Sequence, residues 1–156
     1  MANFIYNVAK GKLAEYAARV NANDPTNAVL TLAVINTSAT DATLEDLDTL
    51  ALVLANGSTA EVTNTNYARK TIDQTGSITI TVDDTNNRVD LDMPDQTFSA
   101  IAAGTAWTDF LICYDSDSTG GADSAIVPMV QLDFAVTPDG SDITVQFNSA
   151  GFARIS

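Results

Sequence analysis

The chain has 156 residues, 46% of them hydrophobic and 17% charged, with a formal net charge of −13. This is a globular composition of one-domain size, long enough to bury a core. A surface this acidic is repelled by phosphate backbones and anionic headgroups, which argues against nucleic acid and membrane as partners, and no run of roughly 18 apolar residues is present to span a bilayer.

Residues 1–20 lack the continuous apolar stretch of a signal peptide. Leu13, Tyr16, Ala17 and Val20 recur at helical spacing and predict a helix over Lys12–Val20. Lys10, Lys12 and Arg19 make this segment basic in an acidic chain. It reads either as a helix packing one face on the domain or as an N-terminal arm that docks on an acidic neighbour.

After a turn at Asp24-Pro25, residues 28–35 form a β run that is apolar on both faces. Residues 40–56 predict one helix, striped by Leu44, Leu47, Leu50, Ala51 and Leu54 and stopped by Gly57. Asp41 or Thr43 is placed to cap it, with Glu45, Asp46 and Asp48 near the positive end of its dipole. Residues 59–71 are polar, with Tyr67 as the one large anchor. Ile78, Ile80 and Val82 alternate with threonines, and Val89, Leu91 and Met93 alternate with charged residues. Asp83–Asn87 lies between them, so the pair predicts a hairpin with one wet face.

A short run follows at Thr97–Ile101, and then two apolar runs that flank a polar loop, Trp107–Phe134. Phe110, Ile112 and Tyr114 fall on one side of a strand, Leu111 and Cys113 on the other, so both faces need cover. The return run places Ile126, Val130, Leu132 and Phe134 on one face. Pro128 cannot donate to a ladder, which predicts an edge strand or a bulge. Pro138-Asp139-Gly140 is a turn, Ile143, Val145 and Phe147 mark another strand, and residues 151–155 a last short one anchored by Phe152. About seven strands at close spacing, one or two short helices and no repeated βα pattern predict a mainly β, antiparallel sandwich or barrel. Residues 1–156 read as a single domain, because no repeat, linker or low-complexity tract divides them.

The chemistry available is limited. The chain has no histidine and one cysteine, which leaves no activated nucleophile and no zinc ligand set. Phosphate-binding and dinucleotide fingerprints are absent. Catalytic and cofactor-binding residues are therefore expected to be none. One loop has a metal-like spacing. Asp115, Asp117, Thr119 and Asp123 occupy the first, third, fifth and ninth places of a calcium loop, with Gly120 at the sixth. Ile126 stands where the bidentate Glu belongs, and strands flank the loop where helices should. A polar hairpin tip is the favoured reading, so metal is expected to be none here. Asp83, Asp84 and Asn86 make a weaker version of the same pattern.

Several stretches resemble a family of short acidic tailed-bacteriophage virion proteins. They are Y-N-V-A-K-G-K at 6–12, N-Y-A-R-K-T at 66–71 and V-D-D-T-N-N-R-V-D-L-D-M-P-D-Q-T-F at 82–98. L-I-C-Y-D, T-G-G-A-D and I-V-P follow between 111 and 128, and D-F-A-V-T-P-D-G-S-D-I-T-V-Q-F-N-S-A-G-F-A-R closes the chain at 133–154. The resemblance covers nearly the whole chain and carries over no catalytic residue. It implies a structural role in a virion, made in the host cytoplasm and assembled onto the capsid surface. A decoration or cement protein bound to the major capsid protein, as a homotrimer, is the leading expectation. A tail or head-fibre component that binds a host surface ligand is the alternative. An enzyme is not expected.

Overall fold

A computed structural model describes residues 2–148 and 150–156. Trp107–Asp115 (β8) occupies the middle of its larger sheet. It runs antiparallel to Val29–Thr37 (β2) on one side and to Val127–Val136 (β9) on the other. Phe4–Ile5 (β1) lies beyond β9. Beyond β2, Thr59–Glu61 (β3) and Lys70–Ile72 (β4) pair with two separate stretches of the same edge, Ile35–Thr37 and Leu30–Leu32. The gap between them is closed at Val34. Its carbonyl accepts from the Val62 amide at 3.2 Å, and its amide donates to the Tyr67 hydroxyl at 2.9 Å.

The need for cover on both faces of β8 is met by two separate groups of elements. On the Phe110, Ile112 and Tyr114 face lies helix α1, Leu13–Ala22, which buries Leu13, Tyr16, Ala17 and Val20. Two small sheets share that face. One joins Thr79–Asp83 (β5), Arg88–Asp92 (β6) and Ala153–Ile155 (β11); the other joins Gln96–Phe98 (β7) and Ile143–Val145 (β10). Trp107 sits in this core, edge-on to Phe98 at 5.4 Å, its indole N–H donating to Asn64 at 3.2 Å. On the Leu111 and Cys113 face lie Tyr6 and two short helices, Asp41–Leu44 (α2) and Leu50–Ala55 (α3). Every strand pairing is antiparallel, and the fold is mainly β and sandwich-like with three short α-helices.

Three expectations change. The helix predicted over 40–56 is broken into α2 and α3. The Glu45 carbonyl accepts from the Asn7 amide at 2.8 Å and so leaves the helical ladder. Thr49 is extended, and its hydroxyl caps a new start by accepting from the Leu52 amide at 3.2 Å. The leucine stripe survives the break, since Leu44 and Leu50 are both fully buried. The cap of α2 is Thr40 and not Asp41 or Thr43, and Glu45 closes α2 instead of opening a helix. Ile126 does not share a face with Val130. A bulge sets Ile112 opposite Val130 but Cys113 opposite Pro128, so the parity of β9 flips at Met129. Pro128 thus sits at the bulge. The third change is at Val82, which continues the inward row of β5 but is 65% exposed.

Residues 2–22 are built into the domain. Phe4 and Ile5 extend the large sheet, Tyr6 is fully buried, and α1 packs on the core by the four residues that set its helical spacing.

Candidate functional site

A polar grouping at the surface joins β3, the start of β4 and the loop before β9. Tyr67 and Arg69 lie just before β4, where the chain returns to the β2 edge. The Arg69 guanidinium holds two carboxylates in fork geometry. Nε and Nη2 donate to Glu61 at 2.8 and 2.6 Å, and Nη1 and Nη2 donate to Asp123 at 2.6 and 2.9 Å. The Tyr67 hydroxyl donates to Glu61 Oε1 at 2.9 Å while accepting from Val34. Glu61 comes from a strand end, Arg69 from a loop and Asp123 from a 3₁₀ turn at Asp123–Ala125.

These contacts set the protonation states. Hydrogen bonds donated to Asp123 and Glu61 push the Arg69 guanidinium above its usual range, and the Arg69 contact holds the Asp123 carboxyl below its own. Burial drives the Tyr67 hydroxyl up, helped by the Glu61 charge. Burial also pushes the Cys113 thiol up to about 12, so it is no nucleophile at neutral pH. Arg69 has its donors committed to protein carboxylates and Glu61 is held by two donors. The arrangement is a clasp that fixes two loops, and it presents no unengaged acid, base or nucleophile.

The calcium-like loop is divided between different duties. Asp115 Oδ1 accepts from the Asp117 amide at 3.0 Å, and Asp117 Oδ1 accepts from the Thr119 amide and hydroxyl at 3.0 and 2.6 Å. Asp123 is turned away to Arg69. Asp83 is likewise occupied by Asn86 and Arg88. Among the described residues, no three His, Cys, Asp or Glu converge as a metal site requires.

Positive charge is equally committed. Lys10 meets Glu45 at 3.8 Å, Arg19 meets Glu15 at 2.9 Å, and Arg154 meets Asp90 at 2.6 Å. Arg88 lies between Asp83 and Asp90 at 3.1 and 3.2 Å, and Lys70 stands over the Phe98 ring at 5.1 Å. Lys12 is the one cation without such a partner among the described residues. All the aromatic rings are buried or half-buried, so no exposed ring offers a stacking platform. A cavity of about 340 Å³ lies between Val82, Val89, Arg88 and Ile155 at the end of the three-stranded sheet.

Sequence spacing singled out Tyr67 and the Asp115–Asp123 loop but not the clasp. Glu61, Arg69 and Asp123 form no pattern along the chain: the pairing of β3 and β4 with one edge of β2 brings Glu61 to Arg69, and the turn before β9 brings Asp123 to them. No helix is long and apolar enough to cross a membrane. No family model, no characterised protein and no solved structure shows significant similarity to the chain.

Proposed function

We propose that this chain is a structural protein of a tailed-phage particle, a decoration or cement protein that binds the major capsid protein on the outer face of the head as a homotrimer. The observation that carries the reading is the resemblance spread over segments 6–12, 66–71, 82–98 and 111–154. The chemistry of the surface supports it. The net charge of −13 suits an outer surface held away from packaged DNA. Six of the seven basic side chains are held by carboxylates or an aromatic ring, several acidic ones close turns, and the grouping around Arg69 is a clasp. The lack of an exposed aromatic ring removes the usual platform for a surface glycan, which favours decoration over a fibre role.

Quantitative mass spectrometry of purified particles, with this chain measured against the major capsid protein, is the test. A fixed ratio with copy numbers comparable to the capsid subunit is expected. A few copies per particle would move the chain to a tail or head fibre, and absence from particles would overturn the reading.

A further inference from the structure

A second polar group lies inside the molecule. Asp109 of β8, Gln131 of β9 and Tyr6 of the N-terminal segment are all fully buried. The Tyr6 hydroxyl donates to Gln131 Oε1 at 2.7 Å, and Gln131 Nε2 donates to Asp109 Oδ1 at 3.0 Å. Asp109 Oδ2 is buried without a hydrogen-bond partner. Such an oxygen is tolerable on a neutral carboxyl and far more costly on a carboxylate.

The residues beside this chain of contacts belong to the N-terminal segment. The Ala2 amide donates to Asp41 Oδ2 at 2.9 Å, and Asn3 Oδ1 accepts from the Asp133 amide at 2.8 Å. Phe4 and Ile5 pair with Gln131 and Val130, and the Tyr6 amide donates to the Met129 carbonyl at 3.0 Å. Displacing residues 2–6 removes Tyr6 from Gln131 and lets water reach Asp109.

We propose that this buried chain is a proton-linked latch: protonation of Asp109 holds residues 2–6 on β9, and ionisation of Asp109 loosens them. The surroundings favour the neutral carboxyl. Burial acts first, and Asp133, in register on β9, adds a like charge. On β2 the residue in register is Ile35, which carries no charge. From the N-terminal segment comes Tyr6, whose own ionisation is driven far up by burial. Hydrogen bonds with the side chains of Thr108 and Gln131 act in the opposite sense. With the seated carboxyl raised above its ordinary value, the latch is at full strength below the ordinary carboxylate pKa. It weakens as pH rises through the seated value and levels off above it. Loosening uncovers the β9 edge at Val130 and Gln131, which β1 alone pairs among the described residues. That edge is then open to strand addition by another chain. The inference does not depend on a role in a virion.

Amide hydrogen exchange of the full chain, measured by NMR across pH and corrected for intrinsic exchange, tests this. Protection of the Tyr6 amide, which donates to the Met129 carbonyl of β9, is expected to fall about tenfold for each unit by which the seated Asp109 pKa exceeds the ordinary value, while β2 amides stay unchanged. In Asp109→Asn the corrected protection should be flat. Coincident curves for the two proteins, or equal losses in β1 and β2, would overturn the latch. The Asp109 carboxyl carbon of the unaltered chain gives an independent reading, because titration in the ordinary aspartate range would also overturn it.

Discussion

Asp73, Asp117 and Asp139 build the same small turn at three separate places. In each, Oδ1 accepts from the amide and the hydroxyl two residues on, in Thr75, Thr119 and Ser141. The spacing Asp-x-Thr/Ser is readable in the sequence, and it accounts for part of the acidity without a ligand. These bonds stabilise the charged form and lower all three carboxyls, as Arg69 lowers Asp123 and Arg154 lowers Asp90. A lowered folded pKa contributes stability that is present above the ordinary carboxylate value and lost as pH falls through the folded one. Melting temperature should therefore fall on acidification below pH about 4. Asp109 works against that trend, its raised carboxyl favouring the fold in acid. The clasp gives a sharper test. Arg69→Met leaves Glu61 and Asp123 facing each other without their shared cation, at a site about a quarter to a third exposed. A loss of about 2 kcal/mol in urea unfolding is expected, below the value for a fully buried pair.

At the scale of elements, local pattern was legible wherever an element is defined by its own residues. The helix from Leu13, the hairpin of β5 and β6 and the two-faced strand β8 all follow from spacing. What escaped was set by partners distant in sequence. The break between α2 and α3 depends on Asn7 taking the Glu45 carbonyl and on Ile126 accepting from the Leu50 amide at 2.9 Å. No periodicity in 40–56 reports either contact. Because Thr49 supplies the second start, Thr49→Ala should cost about 1 kcal/mol of stability, measured by denaturant unfolding. Gly151 is a second hidden constraint. Its φ is +74°, and a Cβ there would fall on the Leu91 carbonyl of β6. Gly57 has open space around it and no such dihedral. Gly151→Ala should lose about 3 kcal/mol or more, while Gly57→Ala should change stability by less than about 1 kcal/mol. Paired thermal melts of the two variants check the contrast.

For the whole molecule, fold class was more legible than the site. Alternation in the strands and the double apolar face of β8 point to a covered antiparallel sheet. The clasp and the buried Asp109 were not visible, because each joins residues from segments distant in sequence and a polar residue in a strand pattern reads as solvent-facing. Asp109 is the clearest instance, since it is fully buried in a strand whose faces are otherwise packed with apolar side chains. Charge also bears on assembly. Copies at −13 repel one another, so any self-association must rest on apolar contact and should strengthen as salt screens the repulsion. Light scattering across salt concentrations should record a rise in mass toward a trimer. A monomer at every salt would remove the trimer from the proposed function.

The central place of β8 has a consequence for how the chain is made. Its partner β2 lies far upstream, with Leu30 opposite Tyr114, and β1 waits for β9, with Phe4 opposite Gln131. During synthesis β2 leaves the ribosome with both faces apolar, and its only strand partners until residues 107–136 have emerged are the short β3 and β4. Its early interval is therefore one of exposure, when chaperone capture and wrong strand pairing compete with the native ladder. Such distant pairings place refolding on the slow, millisecond-to-second side, and the hairpin of β8 and β9 becomes the event that commits the nascent chain to its fold.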